Sequence, residues 1–211
     1  MGSFRATMRR MLTVHLVRHG ETLQASQGCF AGDIDPPLTD EGRRQADAVA
    51  KVASALGLEA LYVSPKLRAR MTAEPIERAC RLDPLVDAGL REIAYGSWEG
   101  RKEAEVEVTE PEAFESWTRD PALFSPPGGE SAFSVAARAL PVLVRARREH
   151  ASGHVMLVSH KATIRILVCA LLDVPIARFR ERFACPTASL TTFELGPRGA
   201  LLVRLGDVHH L

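Results

Sequence analysis

The sequence has almost no net charge, no paired cysteines and no long apolar run, and each absence removes a class of function. Lys plus Arg number 27 against 26 Asp plus Glu, so no overall field draws in nucleic acid or an anionic membrane, and only a local basic pocket is left open. Cys29, Cys80, Cys169 and Cys185 stand alone. Scattered thiols without zinc-type spacing fit a reducing cytoplasm better than a disulfide framework, so the cytoplasm is the expected location. No carboxylate cluster of the magnesium type is present either, so neither metal nor cofactor is expected. The first eleven residues are basic but lead only into the short run Val14 to Val17, interrupted by His15 and Arg18, which suits neither a signal peptide nor a membrane span. No repeat or low-complexity tract appears.

What is present reads as one domain, 1–211, long enough to bury a sizeable core without disulfides or metals. Leu12 to Val17 predicts a buried first strand, followed by a long polar stretch from Gly20 to Leu38 with neither helical nor strand periodicity. Thr39 looks like a helix N-cap, with Asp40 and Glu41 in the first turn and an apolar stripe from Ala46 to Leu56 ending at Gly57. A second strand at Ala60 to Val63 runs into Ser64-Pro65, where Ser64 reads as a cap and Pro65 as the first helical position. Arg68 then sits near the start of that helix.

Further on, Leu85 and Val86 suggest a short extended piece, and Leu90 to Gly100 is rich in turns. From about 101 to 129 the composition turns acidic and then Pro- and Gly-rich, which predicts short helices forming a lid or insertion. Ser131 opens another helical pattern that Pro141 should kink or divide in two. Val155 to Val158 is a fully apolar strand with His160 just past its end, and strands near Ser189 to Glu194 and Leu201 to Leu205 close the chain. His209 and His210 read as an exposed tail. Strands alternating with helices imply a three-layer α/β/α sandwich with a mostly parallel central sheet, in which ligands sit at the carboxyl ends of strands. Arg18-His19, Ser64 to Arg68 and His160 all lie at such ends.

Arg18-His19-Gly20-Glu21-Thr22, directly after a hydrophobic strand, resembles the signature of the histidine phosphatases of the phosphoglycerate-mutase-like superfamily. The same order continues through Ser64-Pro65 with Arg68-Ala69, Glu92 with Tyr95-Gly96 and Trp98-Glu99-Gly100, Gly128-Gly129-Glu130-Ser131, and Ser159-His160. The resemblance covers about residues 12 to 195.

The resemblance implies His19, Glu92 and His160 as catalytic residues, with Arg18, Arg68 and both histidines binding phosphate. An attacking imidazole must be neutral and oriented, and through a phosphohistidine it splits one hard displacement into two easier ones. A lone histidine at a strand end is more often structural, and Arg18 and Arg68 shift that balance for His19. Two guanidinium forks match the three oxygens of a transferring phosphoryl group, whereas the plain alternative for each is a surface salt bridge. Glu92 matches the family's general acid, a carboxyl kept protonated by burial or a neighbouring negative charge. The alternative there is an ion pair with Arg91 or another arginine.

Glu21, Thr22, Gln24, Gly32, Tyr95 and Lys161 complete the expected substrate pocket. Lys161 stands where many relatives carry a small residue, so binding of acidic substrate groups stands beside the plainer reading of a solvated lysine. Many relatives carry asparagine three residues after the Thr22 position, and this chain has Ala25 there, so some phosphate affinity must come from elsewhere. The segment from Glu92 to His160 is shorter than in cofactor-dependent phosphoglycerate mutases and lacks the arginine pair that holds the second end of a bisphosphate. The resemblance therefore implies a metal-independent phosphomonoesterase acting on small phosphorylated metabolites, ahead of a mutase or a non-catalytic phosphate-binding regulator.

Overall fold

A computed structural model describes residues 11–211. The basic segment at 1–10 lies outside the described residues. Strand β1 (Leu12–Arg18) leads into the short helix α1 (Leu23–Gln27), then α2 (Asp40–Ser54), β2 (Leu58–Val63), α3 (Leu67–Cys80) and β3 (Pro84–Val86). Helices α4 (Glu103–Thr109), α5 (Pro111–Arg119) and α6 (Ala132–Glu149) precede β4 (Gly153–Ser159) and α7 (Lys161–Leu171). The four-residue helix α8 (Phe179–Arg182) and the strands β5 (Leu190–Gly196) and β6 (Gly199–Asp207) complete the chain. The strand order is β3-β2-β4-β1-β5-β6. β3, β2, β4 and β1 run parallel, and β5 and β6 continue the sheet antiparallel.

β1 is central, paired on both sides, and its alternation divides the core. Leu12, Val14 and Leu16 pack with α6 and α7 on one face, whereas Val17 joins Val49 and Ala53 of α2 and Ala73 and Ile76 of α3 on the other. Each fully buried leucine contributes about 1.5–3 kcal/mol through removal from water. α2 starts as its sequence dictates: the Thr39 side chain accepts from Gly42 N–H, and Asp40 and Glu41 meet the positive end of the dipole.

Three local expectations are corrected. Ser64 does not cap α3; the cap is Lys66, which offers no side-chain bond, and the Leu67 N–H donates instead to both oxygens of Asp35 at 2.8 Å. The Ser64 hydroxyl is turned towards His160 instead. Pro141 does not divide α6, which runs unbroken with the proline inside it. One lost backbone bond is outweighed there by a buried stripe that includes Val135, Ala139, Val142 and Leu143 on either side of the proline. His210 is no free tail: its Nε2 lies 3.0 Å from the Ala188 carbonyl oxygen.

The 101–129 segment forms α4 and α5. Val106, Phe114 and Trp117 are buried with Phe30 and Trp98, which ties both helices to the loops that follow β1 and precede α4. Among the described residues no helix is long and apolar enough to cross a membrane.

Candidate active site

Parallel pairing of β1 with β4 sets Arg18 opposite Ser159, so His19 and His160, each the next residue, leave the sheet at the same edge. Their ring centroids are 5.1 Å apart, with the planes tilted by 55°. Val63 pairs with Val158, so Ser64 arrives beside them and its Oγ lies 2.7 Å from His160 Nε2. Three strand ends therefore meet where an open α/β sheet holds its ligands.

His19 has one available orientation. Its backbone N–H donates to Ser159 O at 3.0 Å, and its Nδ1 lies 2.7 Å from Gly20 O. A carbonyl oxygen only accepts, so Nδ1 carries the proton and Nε2 carries the lone pair. Burial, and then the charges of Arg18 and Arg68, push the His19 pKa well below its usual value. The ring is neutral at physiological pH, as a nucleophile requires. The turn after it demands glycine, because a Cβ at Gly20 would stand 2.4 Å from Gly42 O.

His160 is fully buried, and burial followed by Arg68 and His19 likewise pushes its pKa well down. Its Nδ1 has no hydrogen-bond partner among the described residues. It packs against His19 and is not part of the cavity wall itself.

Both expected arginines, Arg68 buried and Arg18 half-buried, have unspent donors. Arg18 Nη1 donates to Cys185 O at 2.7 Å, and its Nε has no partner among the described residues. Arg68, the second residue of α3, donates to Ile34 O at 2.8 Å and Gly32 O at 3.0 Å, and again its Nε is unpaired. The loop carrying those carbonyls is held by Glu99. Glu99 Oε1 accepts from Asp33 N–H at 2.9 Å and Tyr95 N–H at 3.0 Å, and Oε2 from Ile34 N–H at 3.1 Å. Gly32 must be glycine there: its φ is +46°, and a Cβ would meet the Glu99 carboxyl at 2.2 Å.

Glu92 is buried and seated on the N-terminus of α7. Its Oε1 accepts from Ile93 N–H at 3.0 Å and Thr163 N–H at 3.3 Å, and its Oε2 from Ala162 N–H at 3.3 Å. No carboxylate neighbours it in these bonds. Arg91 is engaged elsewhere, 2.9 Å from Glu130. Arg138 of α6 donates to the carbonyls of Gly89, Arg91 and Glu92 at 2.7, 2.8 and 3.0 Å, which fixes the turn that aims Glu92.

Arg18, His19, Arg68 and Glu92 open onto one cavity of about 660 Å³, as do Thr22, Gly32, Tyr95 and Lys161. Glu21 and Gln24 do not reach it. Glu21 faces α2, its carboxylate accepting from the Thr39 hydroxyl at 2.9 Å. The backbone carbonyl of Gln24 closes α1 by accepting from Cys29 N–H at 3.0 Å. Thr22 caps α1 through Ala25 N–H at 3.2 Å, and Ala25 itself lines the cavity with no group to offer phosphate.

Sequence reasoning missed part of the cavity lining. Phe30, Phe114, Trp117, Arg165 and Arg180 also line the cavity. The Arg180 guanidinium lies 3.9 Å from the Trp117 ring centroid and pairs with Glu103. Arg165 follows Lys161 by four residues on α7, a spacing that placed it on the same helix face and was the one available signal.

The sequence matches the histidine phosphatase superfamily (branch 1) over residues 14–208. The chain belongs to that superfamily. It is 33% identical over 201 residues to Phosphoserine phosphatase 1 of Hydrogenobacter thermophilus, covering 95% of each chain. It is also 34% identical over 209 residues to a probable phosphoglycerate mutase GpmB of Cronobacter sakazakii, again covering 95% of each. Among solved structures, a mycobacterial glucosyl-3-phosphoglycerate phosphatase complexed with VO3 superimposes with a TM-score of 0.84 at 29% identity, covering 93% of this chain and 99% of that one. Phosphatases on both the sequence and the structural side favour the phosphoric monoester hydrolase reading of this histidine phosphatase over the mutase one.

Proposed function

We propose that this phosphatase hydrolyses small phosphate monoesters, without a metal, through a phosphohistidine formed at His19. One observation carries the reading: the bond from His19 Nδ1 to Gly20 O leaves Nε2 as a free lone pair, in a neutral ring, on a cavity floor flanked by Arg18 and Arg68.

In the first step the Nε2 lone pair attacks phosphorus, the bond from phosphorus to the leaving oxygen breaks, and Glu92 gives that oxygen a proton. In the second, Glu92 takes a proton from water as its oxygen attacks phosphorus, and the phosphorus–nitrogen bond breaks to return His19 and release inorganic phosphate. Arg18 and Arg68 carry the charge of the equatorial oxygens with the donors that have no protein partner. His160 stands behind His19 with an unpartnered Nδ1 among the described residues; as the neutral tautomer that accepts the Ser64 hydroxyl at Nε2, it carries Nδ1–H towards a phosphoryl oxygen held on His19. Helices α4 and α5 serve as the lid on the leaving-group side of a single domain spanning 1–211. The four free thiols support a cytoplasmic setting.

The test is phosphate release from a panel of small monoesters in chelator, comparing the wild type with a folded His19→Ala variant. Turnover should fall by at least about a thousandfold in the variant, the scale on which removing a covalent nucleophile acts. Turnover that survives the substitution removes His19 from its role, and strict dependence on added magnesium defeats the metal-free mechanism.

A further inference from the structure

The cavity holds more positive charge than one phosphate requires. Lys161 and Arg165 lie four residues apart on α7, both open onto the cavity, and Lys161 begins the helix at its positive end. The Arg165 Nε is buried with no hydrogen-bond partner among the described residues. Among the described residues neither side chain has a hydrogen-bond partner; Lys161 is exposed at the cavity and Arg165 half-buried, and each has other cations nearby, Arg165 and Arg18 beside Lys161, and Arg18 and Arg180 beside Arg165. Like charges at this spacing, with Lys161 in the first turn at the positive end of the dipole, disfavour the folded chain. Other arginines avoid the problem by pairing: Arg180 has Glu103, Arg91 and Arg138 share Glu130, and Arg101 has Glu105 and Glu110.

Of the carboxylates that also line the cavity none forms a salt bridge with this pair, and only Glu92 acts on the Lys161 charge. Glu92 is held by the α7 amides, Glu103 by Arg180, and Glu107 stands on the α4 wall. Glu181 pairs with Arg178 at 3.4 Å. An anion entering the cavity is therefore drawn to the α7 wall and repelled from α4.

We infer that Lys161 and Arg165 form a subsite for a second anionic group, a carboxylate or a second phosphate, carried by the leaving group of the monoester. The inference rests on the phosphatase reading above and narrows its substrate class to phosphate monoesters with an additional negative charge. Arg165 supplies a planar fork and Lys161 a point charge at the mouth, so the second group sits between the transferred phosphate and solvent. Neutral sugar phosphates and simple alkyl phosphates leave both cations uncompensated.

Matched substrate pairs test this. 3-Phosphoglycerate and glycerol 3-phosphate differ by a carboxylate, and fructose 1,6-bisphosphate and fructose 6-phosphate differ by a phosphate. The wild type should favour the more highly charged member of at least one pair in kcat/KM by about tenfold or more, the scale of a charge-assisted hydrogen bond, and the favoured pair identifies the anion. In Lys161→Met and Arg165→Met that ratio should collapse towards one; Lys161→Gln carries the same test where the methionine variant does not fold. A wild-type ratio near one in both pairs overturns the inference, as does a ratio that survives both substitutions while absolute rates change. Equilibrium binding of the same four compounds to His19→Ala separates this idea from the phosphohistidine one. A preference for the extra anion that disappears on adding Arg165→Met supports the subsite even where no turnover is found, and its absence sinks the subsite even where the phosphohistidine chemistry holds.

Discussion

β1 and β4 bring together two pairs of histidines, and only one pair makes a site. His19 and His160 stand just beyond the strand ends; His15 and His154 face each other within the sheet, their rings 5.4 Å apart and parallel to within 8°. The inner pair is self-contained. His15 Nδ1 lies 3.1 Å from Thr192 Oγ1 and its Nε2 lies 3.1 Å from His154 Nδ1, so every His15 nitrogen is engaged, and neither ring lines the cavity at His19. The outer pair has an uncommitted Nε2 on His19, an unpartnered Nδ1 on His160, two arginines with unspent Nε donors, and a void above. Proximity of histidines is a product of strand register; hydrogen-bonding capacity left unused beside empty space is what marks a reactive centre.

The sharpest way to break that comparison is to make the same substitution in each pair. His19→Asn should lower kcat/KM by about a thousandfold or more, whereas His15→Asn should leave kcat/KM within about twofold while reducing stability. Equal losses of activity would mean that both pairs belong to one functional network. Next in size is Arg68→Met, expected to cost about a hundredfold to a thousandfold in kcat, the range for removing one preorganised donor to transition-state charge. An effect confined to KM would place Arg68 in ground-state binding alone.

The inner pair should announce itself through pH instead. Burial, then His154 and Arg204, push the His15 pKa down to about 4. The unfolded chain therefore binds this proton first, near the usual histidine value of about 6.5, so stability is complete above that pH and is lost progressively as pH falls towards the folded value. Between about pH 7.5 and about pH 5 the expected loss is about 2 kcal/mol from His15. His19 and His160, also pushed down, add loss of the same sign. Urea unfolding at both pH values should therefore show a shallower decline in His15→Gln than in the wild type; parallel declines would exclude His15 as a contributor.

Much of the outer site was legible in sequence because its chemistry sits on consecutive or closely spaced residues at strand ends. Arg18-His19 follows an apolar strand and His160 another, and parallel register joins them. Ser64 was misread because a serine before a helix has a local use, capping, and only the tertiary partner shows that the hydroxyl went to His160 while Asp35 took the cap. Pro141 was over-read for the opposite reason, since local backbone cost was weighed without the buried stripe that pays it. Arg165, Arg180 and Trp117 escaped because arginine is abundant and an aromatic in an acidic helix reads as packing; their common address is the cavity, which no stretch of sequence contains.

The smallest expected effect separates the two pairs most cleanly, because it removes a hydroxyl partner from each. Ser64→Ala leaves His160 without the bond at Nε2, so the ring can exchange its proton between nitrogens and Nδ1–H is no longer guaranteed for phosphate. The expected result is about a fivefold to tenfold fall in kcat, consistent with one neutral hydrogen bond of about 1 kcal/mol, together with about 1–3 kcal/mol of lost stability from the unpaired buried Nε2. Thr192→Val removes the matching bond from His15 and should lower stability by about 1–2 kcal/mol while leaving kcat unchanged. Measuring kcat and urea midpoints for both variants places each hydroxyl on one side of the comparison. A Ser64→Ala protein that loses stability but keeps its kcat would make Ser64 a structural partner, and the outer pair would then owe its reactivity to His19 and the arginines alone.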